Sequence, residues 1–220
     1  MKVLIITQKV NKADPILGFF HNWLVKFSAI FEKITVIGLE AEEYNLPTNV
    51  KILSLGKPAK GWSTSGGERL LSKIKACLCF YKYLWQERNS YDVVFVHMNQ
   101  EYILLAGWWW RLWNKKIYLW RNHQAGSFLT DLAASFCYKV FCTSKFSYTA
   151  RYKKTVIMPV GIDTNLFHRQ ADIQRTTNSI LFLARISPIK NPHLLIEALK
   201  ELKGENIDFT ANFYGNPAPK

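Results

Sequence analysis

The stretch that decides the fold is Pro159-Val160-Gly161-Ile162-Asp163-Thr164-Asn165-Leu166-Phe167, taken with Ser179-Ile180-Leu181-Phe182-Leu183-Ala184-Arg185-Ile186-Ser187-Pro188-Ile189-Lys190. The first segment reads as a turn. Residues 168–178 are polar and aperiodic and read as a linker. The second segment begins with the composition of a buried strand, runs into two cations and precedes a helical pattern that opens at Pro192. A second α/β domain starts this way once a first one has closed. The expected organisation is a first domain over 1–164, a linker over 165–178 and the beginning of a second domain over 179–220. A single βαβ unit cannot bury its own faces, so the chain is expected to end inside that second domain.

Upstream, apolar runs of strand length alternate with helical periodicity. Strands are expected at 2–7, 34–38, 50–55, 92–96, 116–120, 140–143 and 155–158, and helices at 16–31, from about 66 to 88, at 101–113, 127–138 and 145–152. Residues 56–67 form a Gly/Ser/Pro/Lys-rich loop, and Ser65-x-x-Glu68 is the pattern of a capping box. Strands that are apolar throughout, separated by helices, imply a parallel sheet covered on both faces with right-handed crossovers. The fold class is therefore α/β: a Rossmann-like parallel-sheet domain followed by the start of a second Rossmann-like domain. That second domain shows strand 180–183, helix 192–203 and strand 207–214.

The 220 residues carry 29 Lys plus Arg against 16 Asp plus Glu, a formal net charge of +13. This favours anionic partners: nucleic acid, an acidic membrane face or phosphorylated substrates. The cations are scattered, which fits a basic surface or phosphate sites better than a nucleic-acid arm, and no nucleic-acid motif is present. No run reaches the roughly 20 apolar residues a membrane span requires, and the N-terminal run lacks the flanks of a signal peptide. The expected location is the cytoplasm, with peripheral association at the inner face of the membrane. Cys77, Cys79, Cys137 and Cys142 lack metal-site spacing and read as buried thiols in a reducing compartment, so no metal site is expected. The dense Trp108-Trp109-Trp110-Arg111-Leu112-Trp113 cluster has two readings. One is a helix end packed on a neighbour with one or two indoles exposed; the other is an interfacial anchor, since Trp beside cations suits lipid headgroups.

In open α/β sheets, ligands bind beyond the carboxyl ends of the strands. That rule selects the loops at 7–18, 97–101, 121–127, 144 and 185–190. No GxGxxG follows the first strand, which argues against a dinucleotide enzyme built on that turn. His123, beside Arg121, Asn122 and Gly126 after the fifth strand, can hydrogen-bond a sugar hydroxyl or stabilise developing charge; the bland alternative is a helix cap. His97 has the same logic, with a structural alternative. His21 lies in an amphipathic helix and is either structural or acceptor-facing. Arg185 and Lys190 both precede a helix N-terminus, which attracts anions. The guanidinium adds a forked donor and the ammonium a point charge, together a diphosphate clamp. Their bland alternative is a pair of solvated loop cations.

These residues resemble the GT-B glycosyltransferases of family 4. Residues 159–167 are similar to that family's "P-N-G-V-D-t-x-x-F" crossing between domains, and residues 180–199 to its "i-L-f-v-G-R-l-x-x-x-K-G-x-d-x-L-i-e-A-l" segment. Asp92–His97 and Trp120-Arg121-Asn122-His123 fall where members carry strand-end histidines. The resemblance implies two facing Rossmann-like domains and transfer of a sugar from a UDP- or GDP-linked donor, with retention and without catalytic metal or other cofactor. It implies that Arg185 and Lys190 hold the donor diphosphate and that His123 sits near the transferred sugar as the catalytic residue. Gly18, His97, Arg121 and Asn122 are then candidates for acceptor or sugar contacts. The implied partners are a nucleotide-sugar, a lipid-linked or glycan acceptor of cell-envelope polysaccharide type and an anionic membrane surface, and no nucleic acid. Ala184 stands where the family usually has Gly, Val160 where it often has Asn and Asn191 where Gly follows the lysine, and the first loop lacks the frequent Gly-Gly. The family's E-x7-E pair belongs beyond Lys220. The chain therefore reads as truncated within the donor domain, or as one that has lost or delegated donor binding. The competing reading is a non-catalytic Rossmann-like binding module with a basic, anion-binding face.

Overall fold

The computed structural model describes residues 1–57, 65–159, 161–165, 167–170, 173–174 and 176–217. Residues 58–64 of the expected 56–67 loop, Val160 and Leu166 of the turn, 171, 172 and 175 of the linker and 218–220 lie outside the described residues. Two compact units are present, Met1–Gly161 and Ile162–Lys220.

The first unit runs β1 (Lys2–Val10), α1 (Phe19–Ser28), β2 (Lys33–Ala41), β3 (Val50–Ser54), α2 (Gly66–Glu87), β4 (Val93–His97), α3 (Glu101–Leu112), β5 (Lys116–Trp120), α4 (Phe128–Phe136), β6 (Lys139–Cys142) and β7 (Thr155–Ile157). The seven strands form one parallel sheet in the order β3-β2-β1-β4-β5-β6-β7. The order reverses between β1 and β4, which makes their carboxyl ends the switch point where a crevice opens in such sheets.

Side chains alternate across each strand, so the apolar run of β1 feeds two cores. Leu4 and Ile6 join Val94, Val96 and Leu119 under α2, α3 and α4. Val3 and Ile5 join Ile34 and Val36 under α1, which contributes Phe20 and Leu24. Helix α2 buries Ala76, Phe80, Leu84 and Glu87, a stripe of helical spacing. The Glu87 carboxylate meets Lys51 at 2.6 Å and accepts from Ser90 Oγ at 2.7 Å. Burial alone would raise its pKa, but these partners hold it below the usual carboxylate range. At the end of α4, the Lys154 ammonium donates to the carbonyls of Ala134 (2.9 Å), which also accepts from the Cys137 N–H, and of Cys137 (2.8 Å). The Trp cluster divides by depth. Trp110 is fully buried and donates from Nε1 to the Tyr91 hydroxyl at 3.1 Å, whereas Trp108 is 49% exposed and stacks on Trp109.

Several boundaries depart from the sequence reading. Strand β1 continues past Thr7 to Val10, because Lys9 and Val10 pair with Glu40 and Ala41 of β2 and Lys9 forms an ion pair with Glu40. Helix α1 starts at Phe19, not at 16. Asp14 Oδ1 accepts from the N–H groups of Ile16 and Leu17, which holds those residues in a turn. The segment 145–152 supplies only a short 3-10 turn, Tyr148–Arg151.

The second unit contains β8 (Ser179–Leu183), α5 (Pro192–Gly204) and β9 (Thr210–Tyr214), with β8 and β9 parallel. The expectation of a buried strand at 180–183 is corrected here. Leu181 and Leu183 are exposed, and no described residue of this unit is buried. One partner strand and one helix do not enclose a strand on two faces.

Replacing Trp110 by Ala should lower the unfolding free energy by about 3–5 kcal/mol, since it opens a cavity and strands the Tyr91 hydroxyl. Trp108→Ala should cost only about 0.5–1.5 kcal/mol, the worth of its stack. Chemical denaturation of both variants checks the difference, and equal costs would contradict the assigned depths.

Candidate functional site

The carboxyl edge of the first sheet is built from three loops. The first follows β1. Asn11 Nδ2 donates to Glu42 at 2.9 Å and the Lys12 N–H to the Glu43 carbonyl at 2.9 Å, which pins the loop to the end of β2. Lys9 bridges Glu40 and Asp14, the latter at 3.0 Å. Its hydrogen bond to Glu40 outweighs burial and raises its pKa. Burial of Asp14 opposes ionisation, but the N–H groups of Leu17 and Ile16 and the Lys9 ammonium outweigh it and lower its pKa. Gly18 closes the loop: a Cβ there would lie 2.5 Å from the Asp14 carbonyl oxygen. The glycine is thus required by close backbone approach.

The second loop follows β4. His97 is buried, its ring stacked on Phe20 with centroids 4.3 Å apart and flanked edge-on by Phe19 and Trp23. Nδ1 lies 3.2 Å from Thr7 Oγ1. Burial pushes the imidazole pKa down to about 4. Enclosed in this way, the His97 ring is held at the edge by its aromatic neighbours and Thr7. The next residue, Met98, has φ 68, and the Asn99 N–H donates back to the His97 carbonyl at 2.9 Å. This is a γ-turn with a side chain in the left-handed region, a strained conformation of the kind that collects at functional sites. His21 is also structural: its Nε2 accepts from the Asn45 N–H at 3.1 Å.

The third loop follows β5. In register, His97 pairs with Trp120 and Trp120 with Phe141, so Arg121 leaves the sheet beside the Met98 turn. Asn122 Oδ1 accepts from the Thr143 N–H at 2.6 Å, and the Tyr148 N–H donates to the His123 carbonyl at 2.9 Å. Gly126 allows the close approach of Tyr148, whose ring would lie 2.1 Å from an added Cβ. Arg121 Nη2 donates to the Ala125 carbonyl at 2.9 Å, while Nη1 is buried without a hydrogen-bond partner. His123 is exposed, and its Nδ1 lies 3.1 Å from both the amide nitrogen and the carbonyl oxygen of Ala125, accepting from the first in one ring tautomer and donating to the second in the other. Either bond orients the ring and leaves Nε2 available at the surface.

Beside these loops lies a cavity of about 370 Å³ at the carboxyl ends of β2, β3 and β4. Leu39, Leu55, Phe80 and Tyr102 supply apolar wall, and Lys73, Asn99 and Glu101 supply polar groups. Sequence reading missed this cavity, the strain at Met98 and the aromatic enclosure of His97. The Phe19-Phe20-x-x-Trp23 spacing, which puts all three rings on one helical face, was the available signal for the enclosure.

Within the second unit, Arg185 and Lys190 follow the carboxyl end of β8. The Ala184 N–H donates to the Tyr214 carbonyl (3.1 Å) and the Ile186 N–H to the Asn216 carbonyl (3.0 Å), so the backbone is held on both sides of Arg185. Gly215, at φ 155, permits this: a Cβ there would lie 1.8 Å from the Ala184 oxygen. A 3-10 turn, Pro188–Lys190, and Asn191 in the left-handed conformation then lead into α5. Both cations are exposed, and neither pairs with a carboxylate among the described residues. Ser187 Oγ, between them, is buried without a hydrogen-bond partner. The structure thus gathers Gly18, His97, Arg121, Asn122 and His123 on one edge of the first unit and Arg185 with Lys190 on one loop of the second.

No protein-family model matches the chain. No curated protein matches it either. Solved structures do. A UDP-GlcNAc 2-epimerase from Methanocaldococcus jannaschii aligns over 99% of this chain and 66% of its own, with TM-score 0.51 and 16% identity. A UGT transferase from Siraitia grosvenorii, solved in complex with UDP, aligns over 100% and 66%, with TM-score 0.54 and 9% identity. WaaG, a glycosyltransferase involved in lipopolysaccharide biosynthesis, aligns over 97% and 70%, with TM-score 0.51 and 10% identity. The chain spans just under two thirds of the length of the first two. At these identities the likeness is one of fold: a Rossmann-like α/β chain similar to GT-B enzymes. Among the described residues no helix is long and apolar enough to cross a membrane.

With an ordinary value near 6.5 when unfolded and about 4 when folded, His97 binds its proton more weakly in the folded state. Stability is then complete above pH 6.5 and falls as the pH drops from 6.5 to 4, by on the order of 3 kcal/mol. NMR titration of the His97 ring together with unfolding at each pH checks this, and a midpoint near 6.5 would contradict the enclosure.

Proposed function

We propose that the chain carries the acceptor-side domain and the opening of the donor-side domain of a nucleotide-sugar-dependent glycosyltransferase. The observation that carries the reading is the loop after β8. It presents a guanidinium and an ammonium that meet no carboxylate among the described residues, on either side in sequence of a serine whose hydroxyl is buried without a hydrogen-bond partner among them, directly before α5. Cations at a helix N-terminus suit a diphosphate, and the reading makes Arg185 and Lys190 the stabilisers of a UDP or GDP leaving group without a catalytic metal or other cofactor. Fold likeness over the whole chain to a transferase solved with UDP supports it.

In this reading His123 is the catalytic residue. Its free Nε2 hydrogen-bonds the transferred sugar or stabilises charge as the glycosidic bond breaks, with retention at the anomeric carbon. Arg121, Asn122 and the Gly18 loop shape the acceptor side. The cavity near Asn99 and Glu101, apolar with a polar rim, suits a lipid-linked or glycan acceptor of the cell-envelope polysaccharide type, and the WaaG likeness points the same way. The work is done in the cytoplasm at the inner face of an anionic membrane, to which +13 is suited.

Calorimetric titration with UDP and GDP tests the clamp. Arg185→Ala and Lys190→Ala should each weaken diphosphate binding by about ten- to a hundredfold, the worth of a charge-assisted hydrogen bond at roughly 1.5–3 kcal/mol. Unchanged affinity in both variants would remove the assignment. His123→Ala should keep diphosphate affinity within about twofold, since the reading sets His123 at the transferred sugar and not at the diphosphate. With only the opening of the donor-side domain present, these 220 residues alone should transfer little or no sugar, and robust transfer by them would contradict the reading.

A further inference from the structure

The loop after β5 carries His123, and the 3-10 turn Tyr148–Arg151 holds that loop at its start, middle and end. At the start, Thr149 Oγ1 donates to the Arg121 carbonyl at 3.1 Å. Thr149 is fully buried, and its own carbonyl accepts from Thr155 Oγ1 at 2.5 Å, which fastens the turn to β7. In the middle, the Tyr148 N–H donates to the His123 carbonyl at 2.9 Å. At the end, the Tyr148 ring fills the space that a side chain at position 126 would need. Tyr148 thus supplies two of the three holds, one on each side of Ala125, the residue that His123 Nδ1 meets.

Tyr148 is itself anchored. Its hydroxyl donates to Asp131 Oδ2 at 3.2 Å and accepts from Arg151. Arg151 also forms an ion pair with Asp131, and its guanidinium lies 3.9 Å from the centre of the Tyr148 ring. The Tyr152 hydroxyl donates to Asp131 Oδ1 at 2.5 Å. Asp131 stands in the first turn of α4, the helix into which the loop runs. The path from His123 through the loop to Asp131 is therefore closed by side chains that lead back through Tyr148 to His123. A single exposed ion pair contributes little, but here one carboxylate gathers three donors, and their shared geometry fixes each of them. Asp131, Tyr148 and Arg151 belong to neither buried core. What their contacts determine is the course of residues 121–127.

We propose that Tyr148, latched by Asp131 and Arg151, is the positioning residue for His123. Its backbone and its phenol ring set the path of the loop, and the loop sets the direction of the imidazole. A surface histidine on a free loop samples many orientations. One held on both sides meets its target with less ordering left to do, which is where a positioned group gains over a mobile one. The catalytic consequence rests on the reading that His123 meets the transferred sugar. The latch itself is a property of the protein without substrate.

The test is NMR of the protein carrying 15N-labelled histidine, together with amide exchange, both without nucleotide. Tyr148→Phe keeps the phenyl ring against Gly126 and removes only the hydroxyl; Asp131→Ala removes the carboxylate. Each should speed exchange of the amide at position 148 by about tenfold or more, while the amides of Leu119 and Val140 in the core strands change by less than about twofold. In both variants the His123 ring signals should move toward those of an unconstrained imidazole, and the His97 ring signals should stay where they are. Unchanged His123 signals in both variants would overturn the proposal. Equal acceleration at position 148 and in the core strands would also overturn it, because the cluster would then serve general stability. Calorimetric titration with UDP and GDP keeps the two readings apart. If Arg185→Ala and Lys190→Ala leave diphosphate affinity unchanged, the transfer reading fails while the ring signals still decide the latch.

Discussion

The pairing of β4 with β5 and of β5 with β6 is the constraint on which the rest of the site depends. Because His97, Trp120 and Phe141 lie side by side in parallel register, the loops that leave these strands emerge at one edge. The Met98 N–H donates to the Trp120 carbonyl at 2.7 Å and the Arg121 N–H to the Phe141 carbonyl at 2.9 Å, so the ladder extends to the first residue of each loop. A shift of one residue would move every buried strand side chain to the other face. The same ladder that protects the core therefore fixes where Asn99, Arg121 and His123 stand.

The two units solve the same backbone problem with glycines. Gly126 admits the Tyr148 ring, Gly18 admits the Asp14 carbonyl, and Gly215 admits Ala184 so that Arg185 leaves β8 with its neighbours bonded on both sides. In each case a side chain would push apart segments that must pass close together. The sequence departs from its family resemblance at Ala184, and Gly215 lies directly across from it. The tight approach of the two strand ends thus depends on a glycine in the facing segment.

Much of the architecture was legible in the residues. Val3–Ile6, Val93–Val96 and Ile117–Leu119 are apolar on both faces, which only a parallel sheet with helices on both sides accommodates. What was not legible depends on partners distant in sequence. Gln8 and Lys9 look like the end of a strand until Glu40 is brought beside Lys9. Ile16 and Leu17 fit a helical period until the Asp14 side chain takes their N–H groups. Ser179–Leu183 has a buried strand's composition, yet composition does not say how many neighbours cover it. At the site, the histidines could be placed at strand ends, but position alone did not distinguish an enclosed ring at His97 from an exposed one at His123. That distinction comes from Phe20 and Trp23, which pack over the first ring, and from the Ala125 backbone, which orients the second.

At the loop after β8, Arg185 and Lys190 meet no carboxylate among the described residues and flank Ser187 in sequence. The central claim concerns these two cations. Amide hydrogen exchange read by mass spectrometry, with and without saturating UDP or GDP, tests it most directly. The account predicts slowed exchange across residues 184–194, where the diphosphate would sit on the backbone N–H groups before α5. Unchanged exchange in that segment, with protection confined to other parts of the chain, would contradict it.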